Sequence, residues 1–237
     1  MKEHSRTSAA IIGASIIIGL SALGLISGNA ALKYKSFERT VTVKGLSERE
    51  YPADIVIWPV QFSEAGNDAA QLYVSIEEKS RMIKSFLIDK GLSADEISIS
   101  PPSIVDKSAR EYGDTSTALF RYTSTQTVTV YSDKIEVARE AMNSLSELGR
   151  RGIVFTGSSY QTEYIFNRLN MVKPEMIEEA TANARMSAVK FAEDSNSKLG
   201  KIKTASQGQF SIYSRDKNNP HIKKVRVVST VEYYLSD

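Results

Sequence analysis

The feature that most constrains this chain is a long uncharged run close to its N-terminus. From Ala9 to Ile26 the sequence reads AAIIGASIIIGLSALGLI, eighteen residues without a charged side chain. A helix of a soluble core usually keeps a polar face, a spanning helix needs about 17–25 apolar residues, and a signal peptide has an apolar core of about 7–15. Residues 1–32 therefore predict a membrane anchor that crosses the bilayer through residues 9–26.

A cleaved signal peptide is the alternative interpretation of the same segment. Gly28 and Ala30 are small residues at a spacing that permits cleavage after Ala30, which would release a soluble periplasmic or secreted protein. Lys2 and Arg6 favour a cytoplasmic N-terminus, although the lysines just beyond the run reduce the charge asymmetry. We expect a single-pass protein of the cell inner membrane, with its C-terminal domain in the periplasm or outside the cell.

Composition excludes several kinds of site. The chain of 237 residues is long enough to bury a core without covalent staples. It has no cysteine, so disulfides, thiolate metal sites, a cysteine nucleophile and a lipidated N-terminal cysteine are all excluded. Its 30 basic residues nearly balance its 28 acidic ones. We expect no nucleic-acid partner, because nucleic-acid binders usually show a basic excess or stripe.

Residues 33–237 alternate strand patterns with a few helical ones. Period-2 alternation predicts strands, among them IVIWPVQF, where Pro59 predicts a bulged or edge strand because it cannot donate to a ladder. Helical spacing predicts three helices, which follow Asn67, begin near Asp133 and begin at Pro174. The prediction is an α+β fold with mixed, mainly antiparallel sheets and three helices packed on them, plus the transmembrane helix. We expect residues 33–237 to form one domain, and a division of that domain into lobes 33–150 and 151–237 is the alternative.

The third predicted helix carries a row of small residues. Positions four apart share one helix face, and the row is Ile177, Ala180, Ala184, Ala188, Phe191, Ser195 and Leu199. A small face lets the helix axis approach its neighbour closely, and larger side chains there would cost about 1–3 kcal/mol each. We interpret the row as a packing face sealed by bulky residues at both ends, with Gly200 ending the helix.

Four stretches, in order, carry a resemblance to a known family. They are TVTVKGLSEREYPADIVIWPVQF, IKSFLIDKGLSADEISIS, TVTVYSDKIEVAREAMNSLSELGRRGIVF and EATANARMSAVKFAEDSNSKLGKI. Together they resemble SIMPL-domain proteins, a bacterial and archaeal family of extracytoplasmic proteins, over nearly all of residues 39–237. The segment GSSYQTEYIFNRLNMVKPEM departs from the family pattern in being more aromatic and polar.

The resemblance implies an α+β domain, export or membrane tethering, and frequent self-assembly. It does not imply an enzyme, since the family is mostly described as of unknown function, with some members linked to oxidative stress. We therefore expect a non-enzymatic, membrane-tethered protein that acts through self-assembly or partner binding, with envelope stress protection as its suggested setting. We expect a homo-oligomer, and the sequence does not indicate which other protein would be a partner.

Residues that carry chemistry are few. The two histidines are His4 in the leading tail and His221 in a predicted hairpin tip, and no phosphate-binding glycine loop is present. Adjacent carboxylates such as Glu178 and Glu179 do not face each other on a helix, so they predict a solvated surface. We predict no catalytic, cofactor or metal site. Glu111 and Asp114, on one predicted loop tip, could bind a cation. A metal-assisted hydrolase using carboxylates is the less favoured alternative.

An aromatic cluster is the one candidate interface. Tyr160, Tyr164 and Phe166 share one face of a predicted strand. Aromatic side chains are enriched at protein interfaces, although ordinary core packing is the simpler explanation of this cluster. We name these three residues as the candidate interface, and ordinary core packing as the alternative.

Overall fold

The computed structural model describes residues 2–36, 39–109, 119–157 and 161–236, with side chains in the first range from Ile12 to Lys35. The chain divides into two compact units. Unit 1 comprises Met1–Glu48, Pro174–Phe210 and Arg226–Asp237, and unit 2 comprises Arg49–Lys173 and Ser211–Val225. This division does not coincide with a lobe boundary at residue 150, because distant stretches of sequence contribute to each unit.

Unit 1 begins with one long helix. Helix α1 spans Lys2–Ser36, and its stretch Ile12–Lys35 has a mean hydropathy of 1.8 with none of its residues buried. At 1.5 Å per residue this stretch is about 36 Å long, enough to cross a hydrocarbon core of about 30 Å. The α1 helix is thus long and apolar enough to span a membrane.

The elements after α1 confirm the α+β class. Strand β1 covers Thr40–Pro52, β2 Ile55–Gly66, α2 Ala69–Asp89, β3 Ile97–Ile99, β4 Ser103–Asp106, β5 Tyr122–Ser132, α3 Ile135–Asn143, α4 Ser146–Gly149, β6 Val154–Phe155, β7 Glu163–Ile165, α5 Leu169–Asp194, β8 Lys198–Gln207, β9 Ser211–Ser214 and β10 Ile222–Ser236. The single second helix that the sequence predicts is two helices in the structure, α3 and α4. They are separated at Ser144 and Leu145, where the helical turn is tighter.

Unit 2 is built on a long antiparallel pair of strands. Strand β2 pairs with β5 in unbroken register from Val56 opposite Ser132 to Gly66 opposite Tyr122. The short strands β3 and β4 pair with β5, and β6 and β7 pair with β2, all antiparallel. Alternate residues of β2 and β5 face the helices α2 and α3, and the buried cluster there includes Val56, Trp58, Phe62, Ile83, Leu87, Val128, Val130 and Leu148.

Pro59 lies in a central strand, so the prediction of an edge or bulged strand is wrong. Its backbone pairs with Thr129 of β5 without any register shift. On the other side of β2, however, β7 pairs only with residues 55–57 and β6 only with Phe62 and Ser63. The proline therefore lies where the described strands leave β2 unpaired on one side, which is how a residue that cannot donate is accommodated in a sheet.

The start of helix α5 also differs from the sequence prediction. The helix begins at Leu169, whereas the sequence predicts Pro174 at its first position. Asp54 fixes the earlier start, since its carboxylate accepts hydrogen bonds from the backbone amides of Asn167 (2.6 Å) and Arg168 (3.1 Å). Pro174 consequently lies inside the helix, where it cannot donate a hydrogen bond to the carbonyl four residues earlier.

In unit 1 the sheet order is β1, β10, β8, and β8 pairs antiparallel with β10. Helix α5 contacts this sheet along a row of small residues. The buried residues of the helix are Met176, Ala180, Ala184, Ala188 and Ala192, at a strict spacing of four. They belong to unit 1, where Ala184 and Ala188 cluster with Val43, Val231 and Tyr233 of the strands. The packing interpretation of the alanines is confirmed.

The predicted ends of this row are wrong. Phe191 is 60% exposed, and Ala192 is buried in its place. A contact along an i+4 ridge runs obliquely to the helix axis, so the buried face turns away from Phe191 near the C-terminal end. Gly200 lies in β8 and does not end the helix. Asn196 takes the left-handed conformation there, with φ 52°.

Helix α5 lies very close to Gly45 of β1. A Cβ atom at Gly45 would overlap the carbonyl oxygen of Ala180 and the amide nitrogen of Ala184, and would lie 2.9 Å from the Cβ atom of Ala184. Two hydrogen bonds hold the helix there. The side-chain amide of Asn183 donates to the carbonyl of Leu46 (2.8 Å), and the hydroxyl of Ser47 donates to Glu179 (2.9 Å).

We expect Gly45→Ala to lower the free energy of unfolding by about 3 kcal/mol or more, since the added methyl group meets backbone atoms that cannot move independently of the helix. Gly149→Ala is the matched control, because a Cβ atom there has no neighbour within 4 Å. Its effect should stay within about 0.5 kcal/mol. The measurement is thermal unfolding of the full chain in detergent, followed by circular dichroism. Equal midpoints for the two variants would contradict the close approach.

Candidate ligand cleft and interface residues

A cleft of about 770 Å³ has a lining that lies entirely in unit 2. Arg139, Met142 and Asn143 of helix α3 form one wall. Thr162, just before β7, and Tyr164 of β7 form a second. The β9–β10 hairpin tip, from Ser214 to His221, closes the third side. Its volume falls within the range of about 300–1,000 Å³ typical of small-molecule sites.

An apolar compartment of about 270 Å³ adjoins the cleft and shares Met142 and Thr162 with it. Its lining includes Pro59 and its neighbour Trp58, together with Phe155 of β6. These residues border the stretch of β2 that neither β6 nor β7 pairs. The compartment therefore occurs where the proline interrupts the sheet.

His221 is half-buried in the cleft and contacts Tyr164, with the two rings 6.1 Å apart at an angle of 61°. Its backbone carbonyl accepts a hydrogen bond from the amide of Ala53 (2.8 Å). Burial lowers the pKa of His221 below its ordinary value of 6.5, and the nearby positive charge of Arg139 lowers the pKa further. The imidazole is consequently neutral near pH 7, able both to donate and to accept a hydrogen bond.

Tyr164 contributes a phenol to the same space. Burial raises the pKa of Tyr164 above its ordinary value, so the hydroxyl stays protonated. Its only hydrogen bond in the described structure is a weak one to the sulfur of Met142 (3.9 Å). The phenol can therefore still bond a ligand.

The hairpin tip is locally ordered by Asp216. Its carboxylate accepts hydrogen bonds from the backbone amides of Asn218 (2.9 Å) and Asn219 (2.8 Å), and from the guanidinium of Arg215 (2.9 Å). The hydrogen bond from Arg215, the largest of these effects, helps to hold the pKa of Asp216 at about 2. The side chain of Asn218 is left exposed at the cleft.

Charges around the cleft are almost all compensated. The guanidinium of Arg139 binds both carboxylate oxygens of Glu136, at 3.1 and 2.9 Å. Arg215 pairs with Asp216 and lies 3.7 Å from Glu50. Lys217 is the cleft cation without an ion pair in the described structure. Most of the remaining lining groups are neutral amides, hydroxyls and rings.

The three predicted interface residues have different positions. Tyr160 lies outside the described residues, as do Glu111 and Asp114. Tyr164 lines the cleft. Phe166 is only 7% exposed, because its ring stacks on that of Tyr51 with centroids 5.3 Å apart. Its burial leaves little ring surface for a partner.

The sequence analysis missed the surroundings of His221. A histidine after a polar turn looks like a solvated loop residue, and the signal that it lies in a cavity comes only from residues 50 to 170 positions away. No group of three His, Asp or Glu side chains positioned to hold a metal occurs among the residues that the structure describes.

An apolar N-terminal helix followed by an α+β part defines a class of anchored or exported proteins, and the sequence comparison gives the family. The family model described as "SIMPL: Protein of unknown function (DUF541)" matches residues 41–232. The chain therefore belongs to the SIMPL family, as the resemblance indicated. No curated protein matches it.

We expect the pKa of His221 to lie below 6.5, to fall further in Glu136→Gln and to rise in Arg139→Gln, because Glu136 raises it and Arg139 lowers it. NMR titration of the imidazole checks this, with His4→Gln to assign the two histidine signals. Since the folded protein binds this proton less readily than the unfolded chain, the His221 contribution to stability is present above pH 6.5 and is lost as the pH falls through the folded-state pKa. A pKa at or above 6.5 would contradict the burial.

Proposed function

We propose that this SIMPL-family chain is an extracytoplasmic protein held in the inner membrane by helix α1, and that it acts without catalysis, through self-assembly or partner binding. The observation that carries the anchor is the stretch Ile12–Lys35, whose apolar side chains are exposed along the whole helix. Leaving this much apolar surface in water is unfavourable at about 25 cal/mol per Å². A bilayer removes that cost, which supports the anchor.

An uncleaved anchor fits the helix better than a signal peptide does. Helix α1 continues without a break through Gly28 and Ala30, the residues of the alternative cleavage site. Lys33 and Lys35 lie in the last turn, where charged heads can reach the membrane surface. Both features support a helix that stays attached to the domain.

We expect the full chain to remain in the membrane fraction after alkaline carbonate washing and to keep residues 1–30 in intact-mass measurement. A control with Leu20, Leu23 and Leu25 changed to Lys should not remain there, because each buried charge costs about 2.5–3.5 kcal/mol at a helix centre. A reporter enzyme fused after residue 237, active only outside the cytoplasm, tests the orientation. A mature N-terminus at Ala31 would contradict the uncleaved anchor and would support a signal peptide cleaved after Ala30.

Association is supported by an exposed strand of unit 1. Strand β8 ends the order β1, β10, β8, and nearly all of its residues are exposed on both faces. An edge strand offers unpaired backbone groups to another chain. Ile202 on this strand is 49% exposed. Exposed backbone groups and an exposed apolar side chain on one strand favour binding to another protein copy.

We expect the full chain in detergent micelles to form a discrete oligomer whose mass does not change over a concentration series in light scattering. Ile202→Lys should reduce that mass, because it places a charge on the edge strand. Met186→Lys is the matched control on an exposed helix position. A monomer at high concentration would eliminate self-assembly and leave partner binding. Envelope stress protection remains a prediction from the family resemblance.

A further inference from the structure

The cleft of unit 2 has the chemistry of a site for a neutral, polar ligand. Arg139 is compensated by Glu136, and Asp216 is compensated by Arg215. The groups left to meet a ligand include the amides of Asn143 and Asn218. A small ion has little to bind there, because paired charges already satisfy one another and only one ammonium group is unpaired in the described structure.

Several groups in the cleft can both donate and accept hydrogen bonds. Amides, hydroxyls and a neutral imidazole each offer both kinds of hydrogen bond, and Thr162, Tyr164 and His221 add to the two asparagines. A sugar hydroxyl is likewise donor and acceptor.

The cleft also combines aromatic and apolar surface with these polar groups. Tyr164 lines the cleft, and an aromatic ring is a surface on which the C–H side of a pyranose ring can pack. The adjoining compartment, bordered by Trp58 and Phe155, provides apolar space for a small substituent such as the methyl group of an acetamido sugar. A polar cleft with an apolar side pocket suits an acetylated amino sugar better than a uniformly polar ligand.

We propose that this cleft of unit 2 binds an uncharged saccharide containing an acetamido sugar, held by Asn143 and Asn218 and stacked on Tyr164. This inference goes beyond anchoring and association, and it does not depend on the oligomeric state. The binding would give the anchored domain a glycan-recognition activity.

Trp58 supplies a built-in reporter. It is the only tryptophan of the chain, and it lines the compartment next to the cleft. The experiment titrates the full chain with N,N′-diacetylchitobiose, with cellobiose and with a blocked alanine tripeptide. The detergent must carry no sugar headgroup, since such a headgroup would compete for the cleft. Calorimetry run in parallel detects binding that leaves Trp58 emission unchanged.

We expect diacetylchitobiose to bind saturably with a Kd of about 1 mM or lower, and more tightly than cellobiose. Asn143→Ala and Asn218→Ala should each weaken binding by about fivefold, the effect of one lost hydrogen bond. Both side chains are exposed, so the fold should be preserved. Gln71→Ala, an exposed amide on α2 outside the cleft, is the control and should not change the Kd.

Three results would overturn the proposal. The first is no saturable signal by fluorescence or calorimetry with either disaccharide. The second is binding that neither asparagine substitution weakens relative to the Gln71→Ala control. The third is binding of the blocked tripeptide without binding of a saccharide, which would reassign the cleft to peptides.

Discussion

The contact of helix α5 with strand β1 at Gly45 is the constraint on which unit 1 depends. The helix backbone lies so close to the strand that a single methyl group at this position would overlap it. This separation requires alanine on the helix, and alanine is also the best helix former, so packing and local propensity agree. Asn183 and Ser47 then fix the position of the helix through directional hydrogen bonds. The spacing of the alanines is therefore explained by helix packing and not by a catalytic or binding role.

In unit 2 the corresponding constraint is a proline. Pro59 has no amide hydrogen, and β2 has no partner beside it on one side in the described strands. An apolar compartment lies at this position, and the larger polar cleft adjoins it. A residue that interrupts hydrogen bonding thus borders the space in which a ligand can bind. The pairing with β5 continues through the position without a register shift.

The proposals divide the molecule by physical role. Helix α1 removes apolar surface from water by entering a bilayer, the exposed edge β8 offers backbone groups for association, and the cleft offers compensated charges and neutral polar groups. Each role rests on different residues, so each can fail without the others. The family assignment covers residues 41–232 and supplies no function by itself.

The sequence by itself determined the apolar helix, the α+β class, the alanine packing face and the family. These are local or periodic signals, since a run of uncharged residues or a spacing of four has the same meaning in any fold. It did not determine the start of α5 at Leu169, the exposure of Phe191 or the burial of His221. The start of α5 depends on Asp54, more than 100 residues earlier, and the burial of His221 on α3 and on Tyr164. Only the tertiary structure brings such residues together, because contacts between distant parts of the chain leave no local pattern in the sequence.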